Sequence, residues 1–286
     1  MPRPVIEQRA PAKINLCLHV TGQRSDGYHL LDSLVLFTEF GDRVSIVPDT
    51  NWILNCTGPF GSDIPQGSEN LVLRAAASII EVEGAVVRLE KNLPPSSGIG
   101  GGSSDAAATI RALSKIYPSV EPTIADLVKL GADVPVCMSN HLTRMQGIGD
   151  QLTRLGPPSS IPIILVNPGV SLSTADVFNA LETKENLPLP ETMPNPADLS
   201  NWLGWLGEQR NDIEQPAIKL QPEIARVLGV LSAFPETKLA RMSGSGATCF
   251  AILEDIERRD AVAALIRKQH PNWWVVATQS YRGGAD

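Results

Sequence analysis

The chain predicts an α+β fold in two domains. Three features carry that prediction. Residues 10–22 alternate apolar and polar side chains as a half-buried strand does; a glycine-rich loop at 94–104 stands between a strand and an amphipathic helix; and the second half alternates strands with helices before ending on a strand. The Gly-Pro-Pro-Ser-Ser run at 156–160 is a breaker that places the joint, giving an N-terminal domain over 1–156 and a C-terminal domain over 157–286.

Composition limits the function. At 286 residues, 43% hydrophobic and 19% charged, the chain is long enough and apolar enough for two soluble cores. Its net charge of −7 is spread along the whole length with no Lys/Arg run, which argues against nucleic acid or an anionic membrane as partner. Any bound anion must then be held by a local site. Cys17, Cys56, Cys137 and Cys249 lie far apart without a CxxC pair, so neither a disulfide framework nor a zinc site is expected. No signal segment opens the chain and no apolar run approaches the roughly 20 residues of a membrane span, so a reducing, cytoplasmic setting is expected.

In the first strand Ile14, Leu16, Leu18 and Val20 share one face, and Lys13, Asn15, Cys17 and His19 the other. Residues 23–29 form a polar turn ending in Tyr28 and His29, which suit either a planar ligand or a core cap. Strands are expected over 33–40 and 43–47, joined by a hairpin at Gly41-Asp42, and a further one over 52–56. A helix over 69–82 stopped by Gly84 and a strand over 85–89 lead to the glycine loop. Beyond its helix come a short helix over 124–130 and the breaker Gly131-Ala132-Asp133-Val134-Pro135, whose aspartate alone reads as a helix cap. The second half predicts strands over 161–167, 238–242, 249–253 and 273–280. Helices are expected over 173–181, 197–208, 223–233 and 256–269, with a proline-rich surface loop at 183–196.

Pro94-Pro95-Ser96-Ser97-Gly98-Ile99-Gly100-Gly101-Gly102-Ser103-Ser104 packs four glycines into five positions, where the backbone can turn its amides inward and a ligand can approach the main chain. Ser103, Ser104 and Asp105 are good helix starters, and Ala106, Ile110, Leu113 and Ile116 mark one buried face. Free amides and the positive end of a helix dipole suit a phosphate. A flexible loop before a capped helix is an equally simple reading of this stretch alone. No Gly-Lys-Ser/Thr ending makes it a Walker loop, and the last glycine of the dinucleotide fingerprint is missing.

Four blocks in fixed order then decide. Ala12-Lys13-Ile14-Asn15, the 94–104 loop, Gly131-Ala132-Asp133-Val134-Pro135 and Ser243-Gly244-Ser245-Gly246 resemble the GHMP kinases, which phosphorylate small-molecule hydroxyls with ATP. Asp26-Gly27-Tyr28-His29 and Asn211-Asp212-Ile213-Glu214 narrow the resemblance to members acting on a cytidylyl-linked methylerythritol. Ser96-Ser97-Gly98-Ile99 departs from the commoner Gly-Ala-Gly-Leu, with residues small enough to keep the loop's shape.

The resemblance implies a ribosomal protein S5 domain 2-like N-terminal domain and a ferredoxin-like C-terminal domain, with the active site in the cleft between them. It implies Asp133 as general base for the 2-hydroxyl and Lys13 beside it, stabilising charge in the transition state. Pro94, Pro95, Ser96, Ser97, Gly98, Ile99, Gly100, Gly101, Gly102, Ser103 and Ser104 would bind ATP, with Mg²⁺ held by phosphates and water rather than by an acidic cage. Asn15, Tyr28, His29, Thr174, Gly244, Ser245 and Gly246 would bind the acceptor. The protein would act as a monomer or weak homodimer. Kinases for homoserine or mevalonate, or a non-catalytic metabolite sensor, are the alternatives; the Gly-Tyr-His block argues against the first, and Lys13 with Asp133 against the second.

Overall fold

Two long strands organise the molecule. The computed structural model describes residues 5–78, 84–118, 121–156 and 160–281. Strand β1 (Ile6–Gln23) and strand β2 (His29–Pro48) pair antiparallel along nearly their whole length. They are followed by β3 (Ile53–Thr57), α1 (Leu71–Ala77), β4 (Ala85–Glu90), α2 (Gly101–Ile116), α3 (Ile124–Leu130), α4 (Val134–Cys137), β5 (Thr143–Gly147) and β6 (Gln151–Arg154). The chain continues through β7 (Pro162–Asn167), α5 (Thr174–Asn179), α6 (Leu199–Gly207), α7 (Glu214–Leu220), α8 (Glu223–Ser232), β8 (Thr237–Met242), β9 (Cys249–Leu253), α9 (Ile256–Gln269) and β10 (Trp274–Gln279).

The first sheet runs β3-β4-β2-β5-β6 with β1 also on β2, and the second runs β10-β7-β9-β8, antiparallel throughout. The second order is that of a split βαβ unit, as a ferredoxin-like half requires. Along β2, Val35 and Phe37 pack under α2 and α4, whereas Leu34 and Leu36 meet Ile163 and Leu165 of β7. Ile164 and Val166 face the opposite way, toward α5, α7, α8 and α9. Both faces of β7 are thereby apolar, as its continuous hydrophobic run demands. Arg241, buried on β8, joins the halves by donating to the carbonyls of Leu16, Leu206 and Gln209.

Three local expectations fail for identifiable reasons. Gly41-Asp42 is no hairpin; β2 passes straight through it, and a Cβ on Gly41 would lie 2.3 Å from the Ala10 carbonyl oxygen of β1. The glycine serves a close strand approach rather than a turn. The first strand is buried on both faces, and a register shift between Asn15 and Cys17 breaks its alternation. Leu16 and Cys17 both join the core between the sheets, so Leu18 emerges on the side of Lys13 and Asn15. Ser103, Ser104 and Asp105 do not start α2, which begins at Gly101 after Gly100 in the left-handed region (φ 63°).

The 183–196 segment has no regular structure but is more than a surface loop. Leu189 is buried, its N–H donates to Asp32 at 3.1 Å, and its carbonyl accepts from Arg144 at 2.9 Å. Helix α1 ends at Ala77, and the expected continuation through Ile79 and Val82, like the centre of the 156–160 joint, lies outside the described residues. Helix α7 was not anticipated.

Candidate active site

The β1–β2 register aims Lys13 and Asn15 at the glycine loop. Lys13 pairs with Phe37 and Asn15 with Val35, which places both on the sheet face covered by α2. Lys13 N–H donates to Ile99 O at 2.9 Å, and a Cβ on Gly100 would come within 3.0 Å of Lys13 Cβ. Glycine at 100 lets the lysine side chain pass over the start of α2. Its ammonium reaches Asp133 Oδ1 at 2.7 Å, with the lysine side chain 4% exposed and the carboxylate 33%. Asp133 occupies the position before α4 but makes no side-chain capping bond, so the capping role is not its own. The turn at 147–149 backs this segment: a Cβ on Gly149 would sit 2.2 Å from Ala132 O.

The two glycine-containing loops dock on each other. Ser243 Oγ donates to Gly98 O at 3.0 Å and accepts from Asn15 N–H at 3.1 Å, while Thr248 N–H donates to Ser97 O at 3.1 Å. A Cβ on Gly98 (φ 76°) would lie 2.4 Å from Ser243 O, and one on Gly244 would lie 2.8 Å from Gly98 O. Asn211 clips the second loop by donating to the carbonyls of Met242 and Gly244, both at 2.9 Å. With Gly100 as cap, no side chain satisfies the first amides of α2, which leaves those of 101–103 for an anion.

A cavity of about 430 Å³ gathers most of the expected residues: Lys13, Asn15, Ser96, Ser97, Gly98, Gly100, Gly101, Gly102, Ser103, Asp133, Thr174, Gly244 and Ser245. Five stand back from it. Ile99 and Ser104 are fully buried, Ser104 Oγ donating to Pro11 O at 2.8 Å. Pro94 and Pro95 lie ahead of the cavity and shape the loop's entry, Pro94 O accepting from Ser97 Oγ at 2.6 Å. Gly246 lies behind the second loop against Met242 and Gly98.

Tyr28 and His29 line an adjoining cavity of about 600 Å³ that shares Leu31, Ala132, Thr174 and Phe178 with the first. Thr174 Oγ1 lies 2.8 Å from Ser245 Oγ at this junction. His29 stacks on Phe178, ring centroids 4.7 Å apart and planes 24° apart, and its Nε2 is buried without a partner among the described residues. Burial first, and the Lys184 ammonium second, hold the His29 imidazole below its ordinary value of 6.5. Among the described residues Asn15 Oδ1 is likewise buried without a partner, although its Nδ2 donates to Ser33 Oγ at 2.8 Å. Unpaired buried polar atoms of this kind are costly unless a ligand completes them.

Phe178, Leu18, Leu31, Ala132, Met145 and Ile213 also line the site and were not anticipated. Ala132 and Ile213 stand inside two of the blocks quoted above, and Phe178 carries a signal of its own, an aromatic four residues after Thr174 on the same helix face. Leu18 was hidden by the register shift, and the others are ordinary apolar residues.

A lysine–carboxylate pair facing a helix N-terminus made of glycines, beside a separate organic pocket, defines a phosphotransferase for small molecules. The comparisons agree. Residues 70–153 match the GHMP kinases N terminal domain and residues 191–272 the GHMP kinases C terminal domain. The chain is 49% identical to a 4-diphosphocytidyl-2-C-methyl-D-erythritol kinase of Dinoroseobacter shibae over 94% of this chain and 93% of that one. It is 50% identical to the kinase of the same name from Cereibacter sphaeroides over 94% and 97%. A crystal structure of 4-(cytidine 5'-diphospho)-2C-methyl-D-erythritol kinase superposes with a TM-score of 0.79 at 32% identity, covering 98% of this chain and all of that one. The chain belongs to the GHMP kinase family.

Proposed function

We propose that the chain transfers the γ-phosphoryl group of ATP to the 2-hydroxyl of 4-diphosphocytidyl-2-C-methyl-D-erythritol, giving the 2-phosphate and ADP for non-mevalonate isoprenoid precursor synthesis. The observation that carries this reading is the position of Lys13–Asp133 where the glycine cradle meets the His29–Phe178 pocket. Asp133 accepts the hydroxyl proton as the oxygen–phosphorus bond forms and ADP leaves. Lys13 stabilises the charge that develops, and the amides of 101–103 hold the phosphates.

Phe178 and Tyr28, the latter 57% exposed, offer aromatic faces to cytosine, and the free His29 Nε2 offers a hydrogen bond to its edge. Asn15 Oδ1 is an acceptor for a substrate hydroxyl. Among the described residues no group of three His, Cys, Asp or Glu forms a cage. A magnesium ion would be held by phosphate oxygens and water and would neutralise phosphate charge. The first sheet with its helices forms the N-terminal domain and the second the C-terminal domain, divided at 156/157. No helix of the described residues is long and apolar enough to cross a membrane, and the four free cysteines suit a reducing cytoplasm.

The test is an ADP-release assay with Mg²⁺-ATP and 4-diphosphocytidyl-methylerythritol, mevalonate, homoserine or no acceptor. Turnover confined to the cytidylyl compound, with phosphate on its 2-hydroxyl, is expected; equal turnover with another alcohol would overturn the acceptor assignment.

A further inference from the structure

Beneath the glycine loop lies a buried charge cluster that phosphoryl transfer itself does not use. Lys91 Nζ bonds to Asp42 Oδ2 and, at 2.8 Å, to Asp105 Oδ2, and none of the three side chains is more than 3% exposed. Asp42 Oδ1 also accepts the N–H groups of Asn92 at 2.5 Å and Leu93 at 2.8 Å, the residues that lead into the loop. Asp105 stands on α2, just past the loop's exit. The Lys91 backbone is held as well, its N–H donating to Thr57 O and its carbonyl accepting from Phe60 N–H. A Cβ on Gly101 would lie 3.0 Å from Lys91 Nζ, so the ammonium sits directly under the first residue of α2.

We propose that Asp42, Lys91 and Asp105 are positioning residues for the nucleotide, clamping both ends of the 94–100 loop and setting the charge beneath the phosphates. The proposal rests on the reading of this loop as the ATP site. Asp42 fixes the entry through two backbone amides, Asp105 fixes the exit, and Lys91 bonds to both carboxylates. An anion site preorganised in this way spends no binding free energy on ordering the loop.

One cation between two carboxylates would leave a net negative charge in a dry environment. Among the described residues Asp105 Oδ1 has no partner and is buried, a poor setting for an ionised oxygen. Burial pushes the Asp105 carboxyl up to about 8 against the pull of Lys91, and the Asp42 carboxylate adds to the rise. Burial alone would depress the Lys91 ammonium, but Asp105 and Asp42 together raise it. The other titratable groups on and around α2 include Arg111 and Lys115 of the helix itself, Arg9 beside Arg111, Lys13 and Asp133 in their mutual ion pair, Cys56, Cys137 and the exposed Arg74. Burial raises both thiols, Cys137 to about 12, so neither gains charge near neutrality. With the Asp105 carboxyl raised toward about 8, a proton leaves the cluster as the pH climbs past neutrality, and the added negative charge under the phosphates opposes ATP.

The experiment measures the Mg²⁺-ATP dissociation constant of the full chain and of Asp105→Asn from pH 7 to 9, without acceptor. The constant for the unaltered protein should rise about tenfold, the size of one unit charge acting through a partly screened interior, while that of Asp105→Asn stays within about twofold. The nucleotide's own ionisation is common to both proteins and cancels. Lys91→Met should raise the KM for ATP at least about tenfold and leave the acceptor's KM within about twofold, a split that general destabilisation does not produce. Parallel pH curves for the two proteins, or equal losses for ATP and acceptor, would overturn the clamp. Should Lys91→Met fail to fold, the same split is read at pH 7 on Asp105→Asn, whose loss should also fall on the KM for ATP and spare that for the acceptor. A full chain that binds no ATP at pH 7 would instead refute the ATP site itself.

Discussion

Lys13 Nζ lies 2.7 Å from Asp133 Oδ1, joining a buried strand to a helix start with no other side chain between them. The pair aims the proposed base at the cavity. Asp133→Asn keeps an oxygen for the lysine and removes only the proton acceptor. Loss of a general base costs roughly 10²–10⁴ in rate, so kcat should fall by about that much while ATP binding changes little. Single-turnover phosphoryl transfer alongside ATP titration checks it; a kcat near normal would remove Asp133 from the chemistry.

The His29–Phe178 stack gives a second expectation. His29→Ala and Phe178→Ala should each raise the KM for the cytidylyl acceptor, roughly tenfold or more, and leave the KM for ATP unchanged, because an aromatic stacking partner contributes about 1–3 kcal/mol per base. With its pKa held below 6.5 by burial and Lys184, the imidazole is neutral at pH 7. Acceptor binding should therefore be flat above about pH 6.5 and weaken as the pH falls and His29 takes up a proton. A KM that stays level down to pH 5 would exclude the imidazole from recognition.

Much of this site was legible in the sequence, because its chemistry sits in contiguous blocks. Lys13, Asn15, Asp133, most of the glycine loop, Gly244 and Ser245 line one cavity, since each block needs only its local backbone to present its side chains. What could not be read depended on pairing. The Asn15–Cys17 register shift turned Leu18 into the pocket, Gly41 mimicked a turn while serving a strand contact, and Lys91, Asp42 and Asp105 look like unrelated surface charges until the sheet brings them together. Periodicity reports which face a residue occupies within an element, and it is silent on which element arrives opposite.

Arg144 illustrates a stability role that sequence periodicity missed. Its guanidinium donates to Asp32 through Nε at 2.9 Å and Nη2 at 2.7 Å and also reaches Leu189 O, so it pins the 183–196 segment to the first sheet. Asp32 is only 2% exposed at its side chain. Arg144→Ala would leave that carboxylate buried with the Leu189 amide and Gln146 as its remaining donors. A loss of roughly 3–5 kcal/mol in chemical unfolding is expected. A loss under about 1 kcal/mol would mean that water replaces the arginine.

Two glycines of one loop should respond in opposite ways to the same added methyl. Gly98 has φ 76°, and its Cβ would strike Ser243 O at 2.4 Å and the Gly246 backbone at 2.7 Å. Neither obstacle is a movable side-chain end, so Gly98→Ala must separate the two loops and should destabilise the fold by more than about 1 kcal/mol. Gly102 lies within α2, and a Cβ there meets no protein atom within 4 Å. Gly102→Ala should leave stability unchanged or raise it by up to about 1 kcal/mol, since alanine is the better helix former. Yet Gly102 lines the cavity, where its methyl would stand in the approach of the phosphates to the backbone, so ATP affinity should fall. Paired unfolding and ATP-binding measurements separate a glycine kept for the fold from one kept for the ligand. If Gly102→Ala bound ATP as the unaltered chain does, the phosphates would have to lie elsewhere along the loop.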